Sequence, residues 1–163
     1  MKLARKRAAV ATVGVAVCGV VAAAALASPP SPGFTGTNLV PEAEIAERLH
    51  LNSDGVKFQT KGPADVRVQR IDIAPGGRSG WHHHPGVVII AVQTGTVTYV
   101  DSNCDAISYG AGSPNGPVFT ESGDEPHEAR NLTDQPVTSY ATFVAPDADP
   151  GVFRIEDPVI NCP

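Results

Sequence analysis

The chain has 163 residues, with 12 Lys+Arg against 17 Asp+Glu, a formal net charge of −5, and 42% hydrophobic residues. That length fits one domain with a core of useful size. The acidic balance argues against nucleic acid or an anionic membrane surface as a partner, since both depend on clustered positive charge.

Lys2, Arg5, Lys6 and Arg7 precede an Ala/Val/Gly run from Ala8 to Leu26, and Ala25-Leu26-Ala27 is a small-x-small pattern before Ser28. Residues 1–27 therefore read as a secretory signal peptide. The run also approaches the roughly 20 apolar residues of a membrane span, which leaves an uncleaved anchor as the alternative. Alanine is only weakly hydrophobic, and the small-x-small site favours cleavage after Ala27. A lipid anchor on Cys18 is disfavoured, because Val17 stands where a small residue would be needed. Loss of residues 1–27 leaves eight basic residues against 17 acidic ones, so the exported chain is more acidic still.

Export places the two remaining cysteines, Cys104 and Cys162, in an oxidising compartment where a bridge persists. A Cys104–Cys162 disulfide would pin the C-terminal tail to a mid-chain turn. Closing a loop of about 57 residues corresponds to roughly 4 kcal/mol in the chain-entropy picture.

Residues 28–40 are a Pro-rich leader from which little packing is expected. The window Pro41 to Leu49 predicts one short helix: proline suits the first turn, acidic residues sit near the start, and Ile45 and Leu49 are four apart. His50 would then be a charge at the helix C-terminus. From Val56 onward, short β-branched or aromatic runs alternate with Gly, Pro, Asn and Asp. The predicted strands are Val56–Thr60, Val66–Ile73, Val87–Gln93, Thr96–Val100, Ala106–Tyr109, Val118–Glu121, Glu128–Asn131, Val137–Val144 and Val152–Glu156. Such closely spaced strands predict an all-β sandwich or barrel spanning a single domain, residues 41–163. Val66–Ile73 alternates, giving one wet face, whereas the apolar run Val87–Val92 suits a strand covered on both sides.

Gly80-Trp81-His82-His83-His84-Pro85-Gly86 is followed 43 residues after His84 by His127. In a strand, His82 and His84 share a face and His83 points the other way. Two imidazoles on one face and a third from a distant strand can hold a divalent transition metal such as iron, copper, zinc, nickel or manganese, with positions left open for water or substrate.

These residues resemble the cupin superfamily over roughly Val56 to Glu156. Gly76 or Gly77, His82-x-His84 and Gly95 are similar to the first cupin motif; Gly123, His127 and Asn131 are similar to the second, with Glu121 where proline is common. The resemblance implies a jelly-roll β-barrel, one bound metal, and either a dioxygenase or a protein without turnover. It also implies that the outer sheet could pair with a second copy to form a homodimer. The glutamate that the first motif usually carries falls on Val88 or Ile89, so the fourth protein donor looks absent.

The metal site expected is thus His82, His84 and His127. Glu121 is a weak candidate for a metal donor or base against a solvated strand-end carboxylate. Asn131 reads as a turn-holding residue, and its Asn131-Leu132-Thr133 sequon as incidental. Glu125 and Glu128 read as surface charges; Trp81, Phe119 and Phe143 as core or pocket wall. No catalytic triad signature, phosphate loop or CxxC pair is present. Three functions follow: an exported metal-dependent dioxygenase on a small organic substrate, a non-catalytic metal or small-molecule binding module, and a structural barrel with a vestigial site.

Overall fold

The computed structural model describes residues 27–146 and 151–162. The predicted signal peptide lies outside the described residues save for Ala27. Twelve strands follow one another: β1 (Phe34–Ile45), β2 (His50–Ser53), β3 (Val56–Gln59), β4 (Ala64–Ile73), β5 (His82–His83), β6 (Val87–Thr94), β7 (Thr96–Asp101), β8 (Ala106–Gly110), β9 (Val118–Ser122), β10 (His127–Arg130), β11 (Val137–Pro146) and β12 (Ile155–Glu156). There is no helix among the described residues.

Two five-stranded antiparallel sheets, ordered β1-β4-β11-β6-β9 and β12-β5-β10-β7-β8, face each other as a jelly-roll barrel, and β2-β3 form a separate hairpin. The core lies between the sheets. Ile73, Val88, Ile90, Val92, Val97, Phe119, Val137, Phe143 and Phe153 form one buried cluster, the inner faces of strands whose side chains alternate in and out.

The helix predicted from Pro41 is overturned. Pro41–Ile45 continues β1, which pairs with β4 from Phe34↔Ile73 to Ile45↔Ala64. The register slips between Asn38 and Val40 and again between Val40 and Ala43, so Pro41 sits in a bulged stretch of an edge strand, where proline's missing N–H costs no ladder bond. Ladder bonds to β4 outweigh the weak local helix preference. His50 consequently opens β2, exposed, rather than closing a helix. The Pro-rich leader also joins the sheet from Phe34.

Both ends of the described chain meet. Ala27 bridges Pro158, and Ser28 N donates to Asp157 O at 3.0 Å. Cys104 and Cys162 form a disulfide with a Cα–Cα distance of 5.3 Å, tying the tail to the turn between β7 and β8.

β6 is not covered on both sides. Val88, Ile90 and Val92 are buried while Val87 and Ile89 are more than 40% exposed, because among the described residues no layer covers the outer face of that sheet. β4 departs from simple alternation in another way. Its apolar residues change phase, from Val66 and Val68 to Ile71 and Ile73, yet its register with β11 runs unbroken through ten pairs. Polar residues of β4 must therefore face in: Asp65 is buried opposite Ala145, and Arg67 and Gln69 line the interior with Ile71 and Ile73.

Candidate metal centre

The tight turn before β5 begins at Gly80, whose φ of +72° suits glycine. A Cβ there would collide with the carbonyl oxygen of Ser28. The turn delivers His82 directly opposite His127 on β10, so the two imidazoles project from the same face of one sheet. His84, two residues on, joins them: ring centroids stand 4.8 Å apart for His82–His84, 4.5 Å for His82–His127 and 5.2 Å for His84–His127.

The fourth member comes from the facing sheet. Glu121 on β9 lies across the ladder from Val88 on β6, and paired residues share a face. Val88 points inward, and so does Glu121. Its Oε2 is 3.2 Å from His84 Nε2 and 3.4 Å from His127 Nε2. Neither Val88 nor Ile89, where the resemblance looks for a glutamate, supplies a donor, but a carboxylate is present from the neighbouring strand. The apparent absence of a fourth donor is thereby corrected. One donor atom from each of His82, His84, Glu121 and His127 can be chosen so that all four lie within 4.8 Å of one another, and all four residues are buried.

Each imidazole is oriented from behind. His82 Nδ1 donates to Gly80 O at 2.8 Å, His84 Nδ1 to Phe153 O at 2.6 Å, and His127 Nδ1 to Glu125 O at 3.0 Å. Carbonyl oxygens only accept, so each Nδ1 carries the proton and each Nε2 is left to face the cluster. The contacts with Glu121 lack hydrogen-bond geometry, and Nε2 of His84 and of His127 have no hydrogen-bond partner. Buried polar atoms rarely go unsatisfied. A metal would satisfy them. Around an ion with bonds of about 2.0–2.2 Å, neighbouring donors stand about 3.0–3.5 Å apart, and the two Glu121–histidine separations fall there. The residues present fit a divalent metal.

Electrostatics favour that charge pattern. Burial, then the nearby Arg154 charge, pushes His82 down to about 2, so it stays neutral and able to donate a lone pair. Burial pushes Glu121 up, but the His127 and His84 imidazoles more than offset this and hold its carboxyl well below the usual range. Burial pulls His127 down and the Glu121 carboxylate more than reverses it.

The cluster opens on a cavity of about 150 Å³, walled chiefly by Ile71, Val88, Ile90, Phe119, Phe143 and Phe153, with Ser79, Ser139, Arg67 and Arg154 as polar lining. Phe119 and Phe143 thus wall the pocket as well as the core. Trp81 does not: it is buried on the side away from the cavity, with the Arg130 guanidinium 5.9 Å from its ring. His83 also faces away, its Nδ1 2.7 Å from Asp157 Oδ2.

Glu128 is not a surface charge; it is 2% exposed and pairs with Arg130 at 2.6 Å. Glu125 is exposed and accepts from Ser102 Oγ. Asn131 holds a turn as expected, its fully buried Nδ2 donating to Ile73 O and Gln135 O. Tyr99, which the sequence did not single out, stacks on His127 with centroids 5.3 Å apart; burial and then the Glu121 charge push its hydroxyl up to about 12. The alternation of β7 could have signalled it.

No protein-family model matches the chain, and no curated protein matches it. Among solved structures it is similar to a cupin domain from Bordetella pertussis Tohama I, at 17% identity over 71% of this chain and 96% of that one, TM-score 0.47. It is also similar to a structure of the DMSP lyases RdDddP and RnDddQII, at 20% identity over 56% of this chain and 44% of that one, TM-score 0.45. An oxalate oxidase structure is 24% identical over 47% of this chain and 40% of that one, TM-score 0.39. The chain thus spans less than half the length of the lyase and oxidase chains. The paired sheets, the H-x-H pair opposite a later histidine and the inward carboxylate make a jelly-roll barrel with a candidate metal centre.

Proposed function

We propose that this is an exported cupin-type protein that binds one divalent transition metal through His82, His84, His127 and Glu121 and admits a small organic molecule beside it. The observation that carries this reading is the buried four-residue cluster, with two partnerless Nε2 atoms, at the wall of a largely apolar cavity. A carboxylate among three imidazoles broadens the choice of metal toward manganese and iron, which three imidazoles alone would disfavour. The Cys104–Cys162 disulfide supports export, because such bridges persist in oxidising compartments.

In the enzymatic form the protein is a metal-dependent oxidoreductase of dioxygenase type. The ion would supply Lewis acidity and, if iron, manganese or copper, one-electron chemistry. The protein's residues do the remainder: Gly80 O, Phe153 O and Glu125 O fix the imidazoles, and the apolar wall excludes water. The vestigial-site reading loses its motive now that Glu121 is found inside.

Elemental analysis of untagged protein beside a His82→Ala/His127→Ala variant tests the proposal. About one equivalent of a transition metal in the wild type, lost in the variant, is expected. No metal in either, even after reconstitution, overturns it. Substrate-dependent oxygen uptake then separates the dioxygenase from the binding module.

A further inference from the structure

We infer that the ligand of this cavity is a small organic acid whose carboxylate is received by Arg67, at the opposite side of the cavity from Glu121. The inference rests on the metal-centre reading and names the ligand class of that same site.

The inner face of one sheet carries a single cross-strand row. Glu121 on β9 pairs with Val88 on β6, Val88 with Phe143 on β11, and Phe143 with Arg67 on β4. Three strand spacings separate the ends of this row, about 14 Å between backbones. The side chains of both ends reach into the same cavity. Arg67 is there because the unbroken β4–β11 register directs it inward at the cost of the usual pattern, in which Val66 and Val68 would take that face. A strand that turns an arginine and a glutamine into an apolar barrel while leaving two valines outside sets local pattern against the fold, and such conflicts mark functional positions.

The guanidinium is positioned by uncharged acceptors, with the buried Asp65 two residues away on the same face of β4. Its Nε–H donates to Pro41 O at 2.7 Å and one Nη2–H to Gly151 O at 3.4 Å, both uncharged acceptors. Its Cζ lies 4.1 Å from the centre of the buried Phe153 ring. Among the described residues, no carboxylate makes a salt bridge with it. The other arginine of the lining is different. Arg154 is bound twice to Glu156 and once to Ser79 O, so its charge is already matched. Arg67 keeps donors to spare in the planar fork that suits a carboxylate.

A divalent ion held by one carboxylate leaves a net positive centre, and Arg67 adds a second positive charge across the cavity. A ligand carboxylate would give a charged partner to a guanidinium whose hydrogen bonds go to backbone carbonyls. The cavity, about 150 Å³, limits the ligand to a small acid.

The test uses the full exported chain loaded with Co²⁺, titrated calorimetrically with glycolate, malonate and succinate and with their neutral amides; the visible Co²⁺ spectrum gives a second readout. At least one acid should bind, and Arg67→Gln should weaken it tenfold or more without changing metal content. Arg67→Lys, which keeps the charge without the fork, should fall between the two and guards against a folding defect in the glutamine variant. Equal binding of acids and amides, equal affinity in wild type and Arg67→Gln, or binding of none of the three acids overturns the inference while leaving the metal centre intact. Failure to take up Co²⁺ overturns the metal centre instead. Arg67 is then judged by the same titration of the metal-free protein, where loss of acid binding in Arg67→Gln supports it and no difference overturns it.

Discussion

Val88 and Glu121 stand directly opposite each other in the β6–β9 ladder, and both point into the barrel. The carboxylate stands one strand away from the position where the resemblance leads one to look for it. Because opposed residues share a face, the exchange preserves the side of the sheet from which the group approaches the imidazoles.

Replacing Glu121 with Gln removes the carboxylate while keeping size. Metal affinity should fall more than about 100-fold, beyond the 10- to 100-fold loss usual for groups that only support a donor. The double variant Glu121→Val/Val88→Glu moves the carboxylate to the opposed position and should recover part of the loss. Competition against a chromophoric chelator measures both.

The metal-free protein should lose stability in mild acid. His82 is pushed from 6.5 to about 2 in the fold, so below pH 6.5 the unfolded chain binds a proton that the folded chain refuses. The stability this contributes is complete above pH 6.5 and is lost progressively as pH falls toward 2. Glu121, lowered from 4.5, adds a loss of the same sign only below that pH, and the raised His127 acts above 6.5. Between pH 6.5 and 4.5, His82 should therefore contribute a slope of up to about 1.4 kcal/mol per pH unit. Urea melts of wild type and His82→Gln across that window should show a shallower dependence in the variant.

Gly80→Ala should both destabilise the fold and loosen the site. The residue would have to hold φ near +72° with its Cβ against Ser28 O. Left-handed backbone alone costs about 1–2 kcal/mol for a residue other than glycine. Since Gly80 O receives the His82 Nδ1 proton, metal affinity should fall alongside the melting temperature. A variant that melts lower but binds metal unchanged would refute the link.

The disulfide gives a separate test. Cys104→Ser/Cys162→Ser should lower stability by about 2–4 kcal/mol. That corresponds to a drop in melting temperature of roughly 10 °C, read by circular dichroism.

Nine predicted strands coincide with observed ones to within a few residues, because alternation and turn residues are local signals. Residues Pro41 to Leu49 were misread for the complementary reason. Nothing in that window reveals that β4, over 20 residues later, offers it a free edge. The histidines were legible, since H-x-H spacing fixes a shared face. Glu121 was half legible: with Phe119 it takes the inner parity of β9, but which strand lies beside β9 is a matter of long-range register. Arg67 was hidden, because the phase change in β4 can be resolved only by knowing which half obeys its pattern.

The meeting of Ala27 with Pro158 and of Ser28 with Asp157 makes the domain nearly circular. A short linker across that junction should allow new ends to be opened elsewhere, for example at the exposed Asp54-Gly55 turn of the β2–β3 hairpin. Such a permuted chain would keep the order β4 to β12 that assembles the four buried donors, while moving both ends away from the strand that carries His82.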